Sequence, residues 1–402
     1  MTDKEFAEIK KRFKPEKSNI TKVRGCYVNT TKEIVSKFQI PVTVLPDEQK
    51  EWLFKILKKT ITGSLGRNIM NIDFSVEQVE NSDEHKLLMA IRDSELENEE
   101  LLTFLYEKIV ESFPTDENYL ILVAYDPYDV PSLSKNEENI EDSTEVFRYF
   151  ICCVCPVKLT KSSLGFSTID NSFKNIGADQ AIVPPEIGFM FPCFDNRSTN
   201  IYNALFYTKS IKESYPDVVN ILFGTSAQMP AEEQKETFRN LVSDSTLESR
   251  NLEFVQSVHG MISNMITEHK ESRDPEPLML DKNDVKRVLT TCGAKEEELE
   301  GFDEKFISGF GEKTEIPPQN IIDPKQFELK NSYMTVKVDP QYSFMVDAKV
   351  VDGVKYIMIR ADEGVEVNGI SIRFDGEAPP IRIQAQATET NDSNFHFEDA
   401  GV

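Results

Sequence analysis

The run VFRYFICCVCPV, Val146–Val157, decides the fold. With YLILVAY, Tyr119–Tyr125, it is one of two continuous apolar runs in the chain's first half, the pattern of strands covered on both faces. Side chains alternate along a strand, so Cys153 and Cys155 are expected on one face and Cys152 on the other. A zinc site needs four converging ligands, and this strand supplies two at most. Cys26, Cys193 and Cys292 are far away in sequence, and no neighbouring Lys or His marks a lowered thiol pKa. The cysteines are therefore read as buried wall, and neither a metal nor a cofactor is expected.

Working outward, helical spacing of Phe6, Ile9 and Phe13 predicts a helix from Asp3 to Phe13. ITKVRGCYVN and KEIVSKFQIPV read as two strands around a turn at Asn29–Thr31. DEQKEWLFKILKKTI reads as an amphipathic helix with Trp52, Ile56 and Lys59 on one line and Leu53 and Leu57 beside it. NIMNIDF follows as a strand, then helices near 82–92 and 97–113. The polar stretch SKNEENIEDST, 134–144, reads as a loop between the two apolar runs. The order of elements predicts an α+β fold with largely antiparallel sheets.

Further along, Pro230 with Glu232 and Glu233 starts a helix, and a longer one spans Leu247 to His269 along Val255, Val258, Ile262, Met265 and Ile266. Asp281 caps another, stopped by Gly293. MTVKV, DAKVV, VKYIMIR and VEVNGISI predict a closing β-meander with turns at Asp352-Gly353 and at 362–364. Five segments are expected: a basic-ended α+β domain over 1–160, strands then helices over 161–270, and a linker over 271–280. A helix pair plus meander over 281–374 and a disordered tail over 375–402 complete them.

No apolar run is long enough to cross a membrane, and the charged start MTDKEFAEIKKRFK lacks the apolar centre of a signal peptide. A cytoplasmic protein with reduced cysteines is expected. The net charge of −24 is uneven: the first sixty residues hold fourteen Lys and Arg against eight Asp and Glu, so +6 there leaves −30 for the remainder. Lys10, Lys11, Arg12, Lys14, Lys22 and Arg24 are the candidate face for a polyanion.

The second candidate is VPPEIGFMFPCFDNRSTN, Val183–Asn200. Its three prolines frame Phe189, Phe191 and Phe194 beside Asp195 and Arg197, a composition suited to recognition. A carboxylate site using Asp126 and Asp129, or Glu186, Asp195 and Arg197, is the enzymatic alternative. TGSLGRN, Thr62–Asn68, fails the phosphate-loop pattern, and SGFGEKTE lacks the third glycine of a dinucleotide fingerprint. His259 and His269 stand ten apart, too far to share a metal on one helix.

Five stretches carry a resemblance as a set: EIKKRFKPEKSNITKVRGCYVN, EHKLLMAIRDSEL, ICCVCPVKL, PPEIGFMFPCFDNRSTNIYNALFY and YIMIRADEGVEVNGISI. They resemble a bacterial family catalogued as domain of unknown function 4317, over nearly the whole chain up to Phe374. That resemblance implies no activity, cofactor or catalytic residue. The layout of the last hundred residues is also similar to the end of bacterial nucleoid-associated proteins. The expected function is a non-enzymatic binding protein with a macromolecular partner, protein or nucleic acid, without membrane association and with an oligomer open. The alternatives are a nucleoid-associated or RNA-binding protein using the basic N-terminal third, and a hydrolase or transferase with the carboxylate site.

Overall fold

The computed structural model describes residues 1–374 except 134–138, 162, 168–171, 177–178, 273, 275, 313, 362–363 and 373. The tail expected to be disordered and the turn at 362–364 thus lie wholly or mostly outside the described residues. Two compact units are present, Met1–Ser343 and Phe344–Val402.

The first unit begins with α1 (Asp3–Arg12), β1 (Lys22–Val28), β2 (Ile34–Pro41), α2 (Asp47–Lys59) and β3 (Ile69–Asp73). Three helices follow, α3 (Val76–Asn81), α4 (Asp83–Asp93) and α5 (Glu99–Ser112). The two long strands are β4 (Tyr119–Leu133) and β5 (Asn139–Leu159). Seven shorter ones come next: β6 (Ser163–Ser167), β7 (Ser172–Ile176), β8 (Gln180–Ile182), β9 (Ile187–Phe191), β10 (Cys193–Asp195), β11 (Ser198–Asn200) and β12 (Asn203–Thr208). β4 and β5 run well past the apolar stretches, because their antiparallel ladder continues through Val130↔Glu145 and, after a bulge, to Leu133↔Asn139. The stretch predicted as a loop is thereby partly strand.

The main sheet has the order β2-β1-β4-β5-β9-β12-β3, with β8 added to the end of β5, and every neighbouring pair is antiparallel. The fold is α+β, with helices on both faces of the sheet. Cys26, Ile121, Val123, Cys152, Phe189 and Phe206 face the layer of α4, α5 and α6 (Pro216–Phe223). Val23, Leu122, Ala124, Ile151, Cys153, Cys155 and Met190 face α1 and α2. The period-2 rule therefore divides the cysteine run as its spacing predicts. Cys153→Ala and Cys155→Ala should each lower stability by about 1–2 kcal/mol, the size of a small cavity. Urea unfolding of each variant checks this, and a loss within error would mean the sites collapse fully.

The sheet passes residue 160, where a boundary was expected, because β9 and β12 complete the ladder begun by β4 and β5. The stretch 271–280 likewise does not separate two bodies. The helices α7 (Ala231–Ser245), α8 (Leu252–Ser272), α9 (Lys282–Thr291), α10 (Phe302–Phe310) and α11 (Pro318–Ile321) bury Phe238, Val258, Val285, Phe306 and Ile321 in a single core. Leu280, at the end of the expected linker, is buried and exchanges backbone hydrogen bonds with Ile316. The hairpin of β13 (Phe327–Lys330) and β14 (Thr335–Val338) adds Phe327, whose ring meets His259 edge-on at 5.5 Å.

Among the described residues the second unit carries the closing run of short strands as two hairpins. β15 (Val346–Val351) and β16 (Val354–Ile359) turn at Asp352-Gly353, with φ of 50° and 79°. VEVNGISI, predicted as one strand, folds into β17 (Val365–Val367) and β18 (Ile370–Ile372). Asn368-Gly369 supplies the pair of positive φ angles, 53° and 78°, that a two-residue turn requires.

Candidate functional site

α1 buries Phe6, Ile9 and Phe13 against the sheet, and this seating brings its polar residues onto two separate partners. The first is Asp126, only 1% exposed on β4. Arg12 grips it with a fork, Nε to Oδ2 at 3.2 Å and Nη2 to Oδ1 at 3.0 Å. The Asn19 amide donates at 2.7 Å, the Tyr149 hydroxyl at 2.8 Å and Ser18 Oγ at 3.4 Å. Burial, then this carboxylate, push the Tyr149 phenol well up. Such a fully hydrogen-bonded pair holds the segment after α1 against the sheet.

Arg197 makes the second clamp. It occupies a left-handed position, φ 57°, in the tight turn between β10 and β11. That conformation is unfavourable for arginine, and three hydrogen bonds offset it. Its backbone N–H donates to Glu5 Oε1 (3.1 Å), Nη1 to Glu8 Oε2 (2.6 Å) and Nη2 to the Pro131 carbonyl (2.7 Å). Glu8 also accepts from the Tyr128 hydroxyl at 2.7 Å, and Arg12 lies over the Tyr128 ring at 4.6 Å. Asp195 lies 3.1 Å from the Met1 amino group and accepts from Asn200 Nδ2 at 3.1 Å. Glu8, Tyr128 and Tyr149 were not singled out in sequence; they meet Arg12 and Arg197 only once α1 packs over β4 and β10.

The aromatic recognition loop is corrected. Phe189, Phe191 and Phe194 are all buried, Phe189 and Phe191 beneath α4–α6 and Phe194 beneath α1. Their rings fill the two cores because β9 and β10 are inner elements, not a rim. The carboxylates do not gather either. Asp126 faces α1, whereas Asp129, an odd number of residues on, is exposed on the other side of the strand. Glu186 is engaged by Lys209 (3.0 Å) and Tyr215 (3.5 Å). Among the described residues no group of three or more His, Cys, Asp or Glu is placed to hold a metal ion.

The basic candidates divide too. β1 sends Val23 toward α1, so Lys22 and Arg24 point to the opposite side of the sheet. There Lys22 pairs with Glu97, and Arg24 donates to the Leu96 and Glu97 carbonyls. Arg12 is taken by Asp126. What remains on the α1 side is joined by residues of α2. Partial burial, then the charges of Lys58 and Lys59, hold the Lys10 ammonium below the ordinary lysine value. Lys11 and Lys14 are exposed on the same segment. Trp52, expected on the packed line of α2, is 59% exposed, with Lys55 Nζ 4.7 Å from its ring centre. Phe54 and Leu57 form the buried side instead. Asp47 and Glu48 occupy the start of α2 and Lys58 and Lys59 its end, so positive charge is concentrated where α2 meets Lys10.

A family model described as Domain of unknown function (DUF4317) matches residues 1–370. The chain belongs to this family. Neither a curated protein nor a solved structure matches it. The family match covers both clamps, the lysine face and all the helices of the first unit, so these features fall within the family's span.

Proposed function

We propose that the protein binds single-stranded nucleic acid through the face built from α1 and α2. The observation that carries this reading is the charge of Lys58 and Lys59 acting on Lys10, on a helix that also carries the chain's one tryptophan, exposed with Lys55 against it. Lysines follow a phosphate backbone, and an exposed indole offers a stacking surface for a base. The acidic remainder repels nucleic acid elsewhere and confines contact to this face.

Fluorescence anisotropy with labelled single-stranded RNA and duplex DNA tests the reading. Binding to RNA at low salt should fall with a slope of about −3 in log K against log salt if four lysines each meet a phosphate. Lys10→Gln, Lys58→Gln and Lys59→Gln together should remove it without lowering the melting temperature, since the three substitutions relieve like-charge repulsion around the half-buried Lys10. Trp52→Ala should weaken binding by about 1–3 kcal/mol, the worth of one stacked base. No binding at low salt, or binding indifferent to these changes, would turn attention to a protein partner.

A further inference from the structure

Two adjoining cavities lie in the helical part of the first unit, each of about 310 Å3, and they share Lys235, Ile322 and Asp323. The first is polar, with Arg67, Lys235 and Lys325 in its walls. The second is floored by Phe238, Phe254, Val258 and Phe327, and Arg239 and Arg250 stand at its side. Among the described residues, none of these five cations lies within ion-pair distance of a carboxylate. Arg250 alone makes a side-chain hydrogen bond, from Nη1 to the Ser243 carbonyl at 3.2 Å. Three carboxylates share the walls, Glu232, Asp323 and Glu328, and Glu328 has Lys337 at 3.9 Å. Burial holds His259 below the ordinary histidine value, and its ring lies in the wall of the apolar cavity.

The combination is chemically specific. Five unpaired cations around two connected spaces repel one another, and an anion between them removes that repulsion. Arginine and lysine together favour phosphate, by forked hydrogen bonds and by point charge. The adjacent aromatic floor accepts a flat apolar group, and a cavity of this size suits a small ligand. We propose that the paired cavities bind a small organic phosphate bearing an apolar ring, its phosphate among Arg67, Lys235 and Lys325 and its ring over Phe238, Phe254 and Phe327. This site uses no residue of the α1–α2 face and stands independently of the nucleic-acid reading.

Isothermal titration calorimetry of the full chain with phenyl phosphate, inorganic phosphate and phenol tests it. Phenyl phosphate should bind at least about tenfold more tightly than either fragment, because only it fills both cavities. Lys235→Gln and Arg67→Gln should each weaken it by about tenfold, with thermal melts unchanged because neither side chain has a partner to lose. Val255→Trp, which narrows the apolar cavity from its exposed edge, should weaken phenyl phosphate and leave inorganic phosphate alone. The proposal is overturned by an absence of binding at millimolar phenyl phosphate. Equal affinity for phenyl and inorganic phosphate, or affinity indifferent to both glutamine substitutions, would overturn it equally.

Discussion

Replacing Asp126 by alanine is expected to cost about 3–5 kcal/mol, the penalty for leaving one half of a buried ion pair without its partner. Arg12 would keep a guanidinium that is largely covered, with side-chain exposure of only 14%, and no counter-charge. The Asn19 amide and the Tyr149 hydroxyl would lose their acceptor at the same time. Against a typical stability of about 5–15 kcal/mol, such a loss threatens the fold at physiological temperature. Urea unfolding gives the measurement. The double variant Arg12→Ala/Asp126→Ala should be less destabilised than the sum of the single changes, because removing both partners leaves no orphaned charge. A loss below about 1 kcal/mol for Asp126→Ala would mean that water takes the carboxylate's place beside Arg12 and that α1 is not anchored there.

Gly188→Ala is the second change with a large expected effect, here through space alone. Gly188 lies in β9 opposite Cys153, and a methyl group on it would sit 2.5 Å from Thr60 Cγ2 and 2.7 Å from the Cys152 carbonyl oxygen. Thr60 is the last residue of the α2 turn, so glycine is what lets α2 settle onto the sheet. Overpacking of this kind costs about 1–3 kcal/mol, and contact with a backbone oxygen places this case at the upper end. Thr60→Ser removes the nearest methyl and should recover part of the loss in the double variant. Because α2 carries Lys58 and Lys59, nucleic-acid affinity should fall alongside stability in Gly188→Ala. Full stability in the single variant would show that α2 shifts outward freely.

Much of the fold was legible because it rests on local pattern. The apolar runs of β4 and β5 announced strands covered on both sides, and Asp352-Gly353 announced its hairpin. Asn368-Gly369 carried the same signal, but the apolar residues around it read as one strand. The candidate site was legible only in its residue types. The clamp on Asp126 joins positions 114 residues apart, which depends on how β1 and β4 pair and on which face α1 covers. The same dependence separates Lys22 and Arg24 from Lys10, since one step along a pleated strand reverses the side chain. Trp52 misled for a related reason: helical spacing defines a line, but only the neighbours decide which line is buried.

The placement of the cysteines gives the molecule a set of internal timers. Cys26 and Cys152 lie beneath α4–α6, Cys153, Cys155 and Cys193 beneath α1 and α2, and Cys292 beside the helical core. Alkylation requires an accessible thiolate; burial pushes the Cys26 thiol up to about 12 and that of Cys152 well above its ordinary value, and the hydrogen bond to Cys153, then burial, does the same for Cys155. Each of the five buried thiols therefore reacts only when the layer above it lifts, at a rate set by that layer's local opening free energy, whereas the half-buried Cys292 is the early reference. Peptide-resolved alkylation over time would show which side of the sheet breathes first, with no residue changed.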